Sequence, residues 1–238
     1  MHRSYHCWYS SALGRSMELQ VFGHSGPICL VFPTSQGRFY DYADFGMVEA
    51  LSHWLEDGLL QLICLDSIDA ESWFNYHADT DVRMQRHDQY EQYILTEVRP
   101  FAQAHNANDT WIVTGCSFGA SHAINFAFRH PEAVNRVIGL SGMYDLRRFF
   151  NDYTEAVYFH NPIDFLPNLT EEKQLARMRQ LDIILAIGKD DTSAWSNHRL
   201  SQILWNKGIW HALRIWNGWA HDWSSWQRMI TLYIDGHD

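Results

Sequence analysis

Short apolar, β-branched runs recur along the chain with helical patterns between them, and this alternation restricts the fold more than any other feature. Residues 28–32, 60–65, 111–114, 136–140, 183–187 and 213–216 each read as a strand buried on both faces. Residues 17–22 alternate and are expected as an edge strand. Between these runs, 46–56 carries Met47, Leu51 and Leu55 at helical spacing, and 82–104 places Tyr90, Tyr93, Ile94, Val98 and Phe101 on one stripe. Ala120, Ala123, Ile124, Ala127 and Phe128 make a third stripe. The Asp79-Thr80-Asp81 cluster suits a helix start, Pro100 is expected to kink or end that helix, and Pro131 to stop the next. Strands alternating with helices predict an α/β protein with a mostly parallel central sheet and helices on both faces.

Nothing in the chain marks an internal boundary, so residues 1–238 are expected to form a single domain. A net charge of -10, with 18 scattered Lys and Arg, argues against a nucleic-acid partner. The cysteines stand at 7, 29, 64 and 116 without a C-x-x-C pair, which fits reduced thiols. The N-terminus has no signal-peptide core, and no run of about 18 apolar residues occurs, so a cytoplasmic protein without a membrane partner is expected. No oligomeric state follows from the sequence.

The stretch WIVTGCSFGAS, residues 111–121, ends a strand run in G-x-S-x-G and leads into a helical pattern. In that setting the motif is a nucleophile elbow, whose glycines let the chain fold back so that the Ser117 hydroxyl stands clear of the sheet. A serine hydroxyl needs a base, and the base a carboxylate to hold its tautomer, in the chain order serine, acid, histidine. Downstream, LAIGKDD ends one strand run and WNGWAHDW follows the last. Asp191 is the favoured acid, with Asp190 the rival; one of the pair is expected to cap the helix beginning near Ala194. Of the 14 histidines, His221 lies directly beyond the last strand, whereas His211 precedes it and His237 belongs to the tail.

Two backbone amides are expected to hold the oxyanion: that of Phe118, and that of Ser35 in VFPTSQGRF, with Gln36 as the alternative. The adjacent thiol, Cys116, is expected to pack beneath the turn. A zinc hydrolase is disfavoured because no H-E-x-x-H or closely spaced His/Asp set appears. No metal or organic cofactor is implied. Activity should fall as pH drops through the imidazole range, about 6.5.

Taken together, these segments resemble the putative-esterase branch of the α/β-hydrolase superfamily, which includes feruloyl esterases, S-formylglutathione hydrolases and mycolyltransferases. The most specific match is GWAHDWSSW, where feruloyl-esterase-like members carry a similar Gly, His-Asp and Trp arrangement. The resemblance implies an α/β-hydrolase fold with Ser117 as nucleophile, Asp191 as acid and His221 as base. Two departures stand out. Pro33-Thr34 replaces the His-Gly of many oxyanion loops, and Asp191 stands where mycolyltransferases use Glu. The expected activity is hydrolysis of a small or aromatic acyl ester, a small-molecule substrate, through an acyl-serine intermediate. The alternatives are an acyltransferase with the same triad and a non-catalytic binding protein on the same shell. Trp219, and Trp73 from the opposite loop, are expected to line the substrate pocket. The aromatic segment 142–169 is a candidate lid or cap.

Overall fold

One sheet of eight strands forms the centre of the computed structural model, which describes residues 1–236. His237 and the last residue of the expected 1–238 unit lie outside the described residues. The strands are β1 (Arg3–Ser10), β2 (Arg15–Phe22), β3 (Ile28–Phe32), β4 (Gln61–Leu65), β5 (Trp111–Cys116), β6 (Arg136–Leu140), β7 (Asp182–Gly188) and β8 (Ala212–Trp216). They lie in the order β1-β2-β4-β3-β5-β6-β7-β8; from β4 across to β8 all neighbours are parallel, while β2 is antiparallel to both β1 and β4.

Successive side chains point to opposite faces, so a strand covered on both sides must be apolar throughout. In β3, Ile28, Leu30 and Phe32 join one core cluster, and Cys29 and Val31 join the cluster on the other face. Each aliphatic side chain sealed in this way stabilises the fold by roughly 1.5–3 kcal/mol relative to exposure. The thiols of Cys29 and Cys64 serve as small hydrophobes there, and burial pushes both well above their ordinary range.

The edge position expected for 17–22 is corrected. β1 takes the edge and pairs with β2 from Arg3↔Phe22 to Ser10↔Arg15. Its exposed and half-buried residues alternate, with Tyr5 and Tyr9 facing out, so no apolar run marks it as a strand. The single helix expected over 46–56 is two short ones, Met47–Ala50 and Ser52–Glu56. Pro100 does not end its helix. After Thr80–Tyr93 comes a π-helical turn, Ile94–Val98, and Pro100 then sits in the first turn of Arg99–His105, where a missing N–H costs little. Asp79 takes the N-cap position without a side-chain capping bond.

Residues 142–169 contain a 3₁₀ turn and two short helices, Glu155–Phe159 and Pro162–Asn168. Leu146 and Val157 from this segment pack with Trp73, Met84 and Phe118 in a third apolar cluster. Among the described residues no helix is long and apolar enough to cross a membrane.

Candidate active site

At the carboxyl end of β5 the chain reverses through Ser117, whose φ of 56° and ψ of -121° are costly for a residue with a side chain. Its N–H donates to the Leu140 carbonyl at 2.8 Å, and its carbonyl accepts from Ala120 at 3.1 Å. A Cβ on Gly115 would stand 2.3 Å from the Gly119 carbonyl carbon, and one on Gly119 would stand 2.4 Å from the Phe32 carbonyl oxygen. Only glycine fits at either position, and the loop after β3 therefore lies directly against the helix that follows Ser117, Phe118–Arg129. Cys116 is buried, and burial pushes its thiol well above its ordinary range, so it holds no ready thiolate.

His221 Nε2 lies 2.9 Å from Ser117 Oγ, and its Nδ1 lies 2.6 Å from Asp191 Oδ2. The other carboxylate oxygen of Asp191 accepts the Ser193 N–H at 2.7 Å, beside the start of helix Ala194–Asn206. Asp191 is buried and Asp190 exposed. Asp191 therefore serves both the histidine and the helix entry, while the Asp190 backbone N–H donates to the Gly218 carbonyl at 3.1 Å.

The loop carrying His221 is held from below. Ser141, at the end of β6 with φ of 53°, donates its hydroxyl to the Ala220 carbonyl at 3.0 Å and accepts from Trp226 Nε1 at 2.9 Å. Asp222 caps the final helix, Trp223–Tyr233, through the Ser225 N–H at 2.9 Å. Hydrogen bonds from Ser224 and Ser225 hold its carboxyl below the usual range.

On the opposite side, Gln36 adopts φ of 53° and its N–H donates to Asp69 Oδ2 at 2.9 Å. That amide is committed to Asp69, which leaves Ser35 as the candidate donor of this loop. Asp69 Oδ1 is 2.9 Å from His122 Nε2 on the helix after Ser117. Both Asp69 and His122 are buried. Asp69, His122 and Ser141 are the parts of the site that sequence reasoning missed.

Trp219 is 54% exposed, and its ring stacks on His221 with centroids 5.2 Å apart. Trp73 departs from its expected place in the pocket. At 1% exposure it has no open face and instead backs Phe118 at 5.6 Å, edge to face. The half-buried aromatic surface beside Phe118 comes from Phe74, at 5.2 Å, and Phe149, at 5.1 Å. A serine, an imidazole and a carboxylate hydrogen-bonded in series can move a proton off the hydroxyl as it attacks an electrophile. Away from this line, buried His87, Glu91 and His160 gather ligand-type atoms within 4.8 Å of one another.

The family model described as "Putative esterase" matches residues 63–232. A ferulic acid esterase superposes with a TM-score of 0.79 at 18% identity, over 96% of this chain and 94% of that one. S-formylglutathione hydrolase from Staphylococcus aureus gives 0.75 at 15% identity, over 99% and 98%. The fluorophosphonate-binding serine hydrolase F of the same organism gives 0.76 at 16% identity, over 98% and 97%. A sequence search of curated proteins finds no match.

Proposed function

The chain belongs to the putative esterase family, and from that premise we propose that it hydrolyses carboxylic esters through an acyl-serine intermediate. Its fold is that of the α/β-hydrolase superfamily. The observation that carries the proposal is the unbroken line from Ser117 Oγ through His221 to Asp191, at 2.9 and 2.6 Å.

In the proposed reaction Ser117 Oγ attacks the ester carbonyl carbon while His221 Nε2 takes its proton. The amides of Phe118 and Ser35 hold the oxyanion, a contribution worth about 2.7–4 kcal/mol per donor in comparable sites. As the tetrahedral adduct collapses, the C–O bond to the alcohol breaks and His221 returns the proton to the leaving oxygen. Water, giving its proton to His221, then attacks the acyl-serine, and the acid leaves as Ser117 recovers its proton. Asp191 keeps His221 in the Nδ1–H tautomer and stabilises the imidazolium formed in each half.

The substrate class in this reading is a small or aromatic acyl ester. Support comes from Trp219 over His221 and from the Phe74 and Phe149 surface beside Phe118. One domain would carry the whole site, with residues 142–169 as its wall. The free cysteines at 7, 29, 64 and 116 are in keeping with a reducing, cytoplasmic setting.

The test is a panel of acetyl, butyryl and feruloyl esters assayed with the wild-type chain and Ser117→Ala, with and without added acceptor alcohols. Hydrolysis that vanishes in Ser117→Ala supports the proposal. Turnover that appears only when an alcohol acceptor is present would make the chain an acyltransferase. No turnover of any ester would leave a binding shell.

A further inference from the structure

We propose that His87, Glu91 and His160 form a divalent-cation site, suited to Zn²⁺, that ties the segment around His160 to the helix Thr80–Tyr93. The site is separate from the ester chemistry. His87 and Glu91 are four residues apart on that helix and so share a face, while His160 follows directly after helix Glu155–Phe159.

All three side chains are buried, yet the group is incompletely satisfied. Glu91 Oε1 stands 3.7 Å from His87 Nε2 and 3.8 Å from His160 Nδ1, beyond hydrogen-bond reach of both. Among the described residues Glu91 Oε1 has no hydrogen-bond partner. Leaving a buried carboxylate oxygen unpaired is costly. A tetrahedral zinc ion with bonds of 2.0–2.2 Å sets its ligand atoms roughly 3.3–3.6 Å apart. The two spacings from Glu91 Oε1 are within a few tenths of an ångström of this, and since all three ligand atoms lie within 4.8 Å of one another, closing on an ion requires the two imidazoles to draw together.

The surroundings supply the outer shell that such a site requires. His160 Nε2 meets Asp88 Oδ1 at 3.0 Å, which leaves the Nδ1 lone pair turned inward. Glu91 Oε2 accepts from Arg129 Nε and lies against His130 Nε2, both at 2.9 Å, so that carboxylate is oriented with Oε1 free for an ion. Asn125 Nδ2 lies 3.1 Å from His160 Nδ1, while its Oδ1 has no partner. The cation replaces that N–H at the nitrogen, and either the turned Asn125 amide or a water completes four ligands. Two imidazoles with one carboxylate favour Zn²⁺ over Mg²⁺ or Ca²⁺, which take oxygen ligands.

The experiment uses the full-length chain without an affinity tag, stripped with a chelator and titrated with Zn²⁺ by calorimetry, with melting followed in parallel. One equivalent should bind and raise the wild-type Tm. His87→Gln and His160→Gln should each weaken that binding by about 100-fold or more and lose the Tm rise, while melting like wild type in chelator. Cobalt substitution of the wild-type chain covers the case in which a variant fails to fold: intense visible bands of four-coordinate Co²⁺ support the site. The proposal is overturned if wild type binds no zinc, if the cobalt spectrum is that of a six-coordinate ion, or if both folded variants bind as wild type does. The last result would place the metal on other histidines.

Discussion

Two histidine–carboxylate pairs flank Ser117, and their wiring is nearly the same. Asp191 gives one oxygen to His221 at 2.6 Å and the other to the Ser193 amide at 2.7 Å. Asp69 gives one to His122 at 2.9 Å and the other to the Gln36 amide at 2.9 Å. What differs is the setting of the imidazole. The His221 side chain is 23% exposed and its second nitrogen meets a serine hydroxyl, whereas His122 is enclosed by Phe32, Trp73, Phe118 and His87. The same residue pair can therefore serve proton transfer in one place and hold a backbone loop in the other. The environment of the imidazole decides between the two roles.

The largest break in this comparison is expected from Ser117→Ala, which removes the group that His221 serves. kcat/KM on an activated ester should fall by roughly 10⁴-fold or more with an unchanged circular dichroism spectrum. Asp191→Asn should cost about 10³–10⁴-fold by disturbing the tautomer of His221, while Asp190→Asn stays within about twofold. Assays of the two variants side by side separate the buried carboxylate from its exposed neighbour.

On the other side of Ser117, Asp69→Asn should act through the Gln36 loop. A fall in kcat of about 10–100-fold with little change in KM is expected, because a loosened loop weakens oxyanion binding more than substrate binding. Equal losses in kcat for Asp69→Asn and Asp191→Asn would erase the distinction drawn between the pairs.

The smallest effect concerns His211, buried against Ser201 Oγ at 2.7 Å. Burial, opposed in part by the Ile209 carbonyl, holds its imidazole below the ordinary value. The folded state thus binds this proton more weakly than the unfolded chain. Its stabilising contribution is complete above about pH 6.5 and is lost as pH falls through the depressed folded value. Tm measured from neutral to mildly acid pH should decline less steeply in His211→Gln.

Much of this architecture was legible because it rests on short-range pattern. The parallel strands are continuous apolar runs, and Ser117, Asp191 and His221 each sit just past the end of one of them. β1 escaped because its alternating residues include few that are buried. Asp69 and His122 escaped for a different reason: they are 53 residues apart in sequence, and alone each resembles an ordinary cap or surface residue. Trp73 was misplaced because an aromatic residue in a loop carries no sign of which way its ring faces. The spacing of His87 and Glu91 was visible on one helix, but His160 joins them only through the packing of residues 142–169.

The central claim is that Ser117 is an activated nucleophile, and fluorophosphonate labelling with intact-mass analysis and peptide mapping tests it most directly. A single adduct on Ser117, strongly reduced in His221→Ala, is the expected result. No adduct under conditions that label a control serine esterase, or an adduct on any other residue, would contradict it.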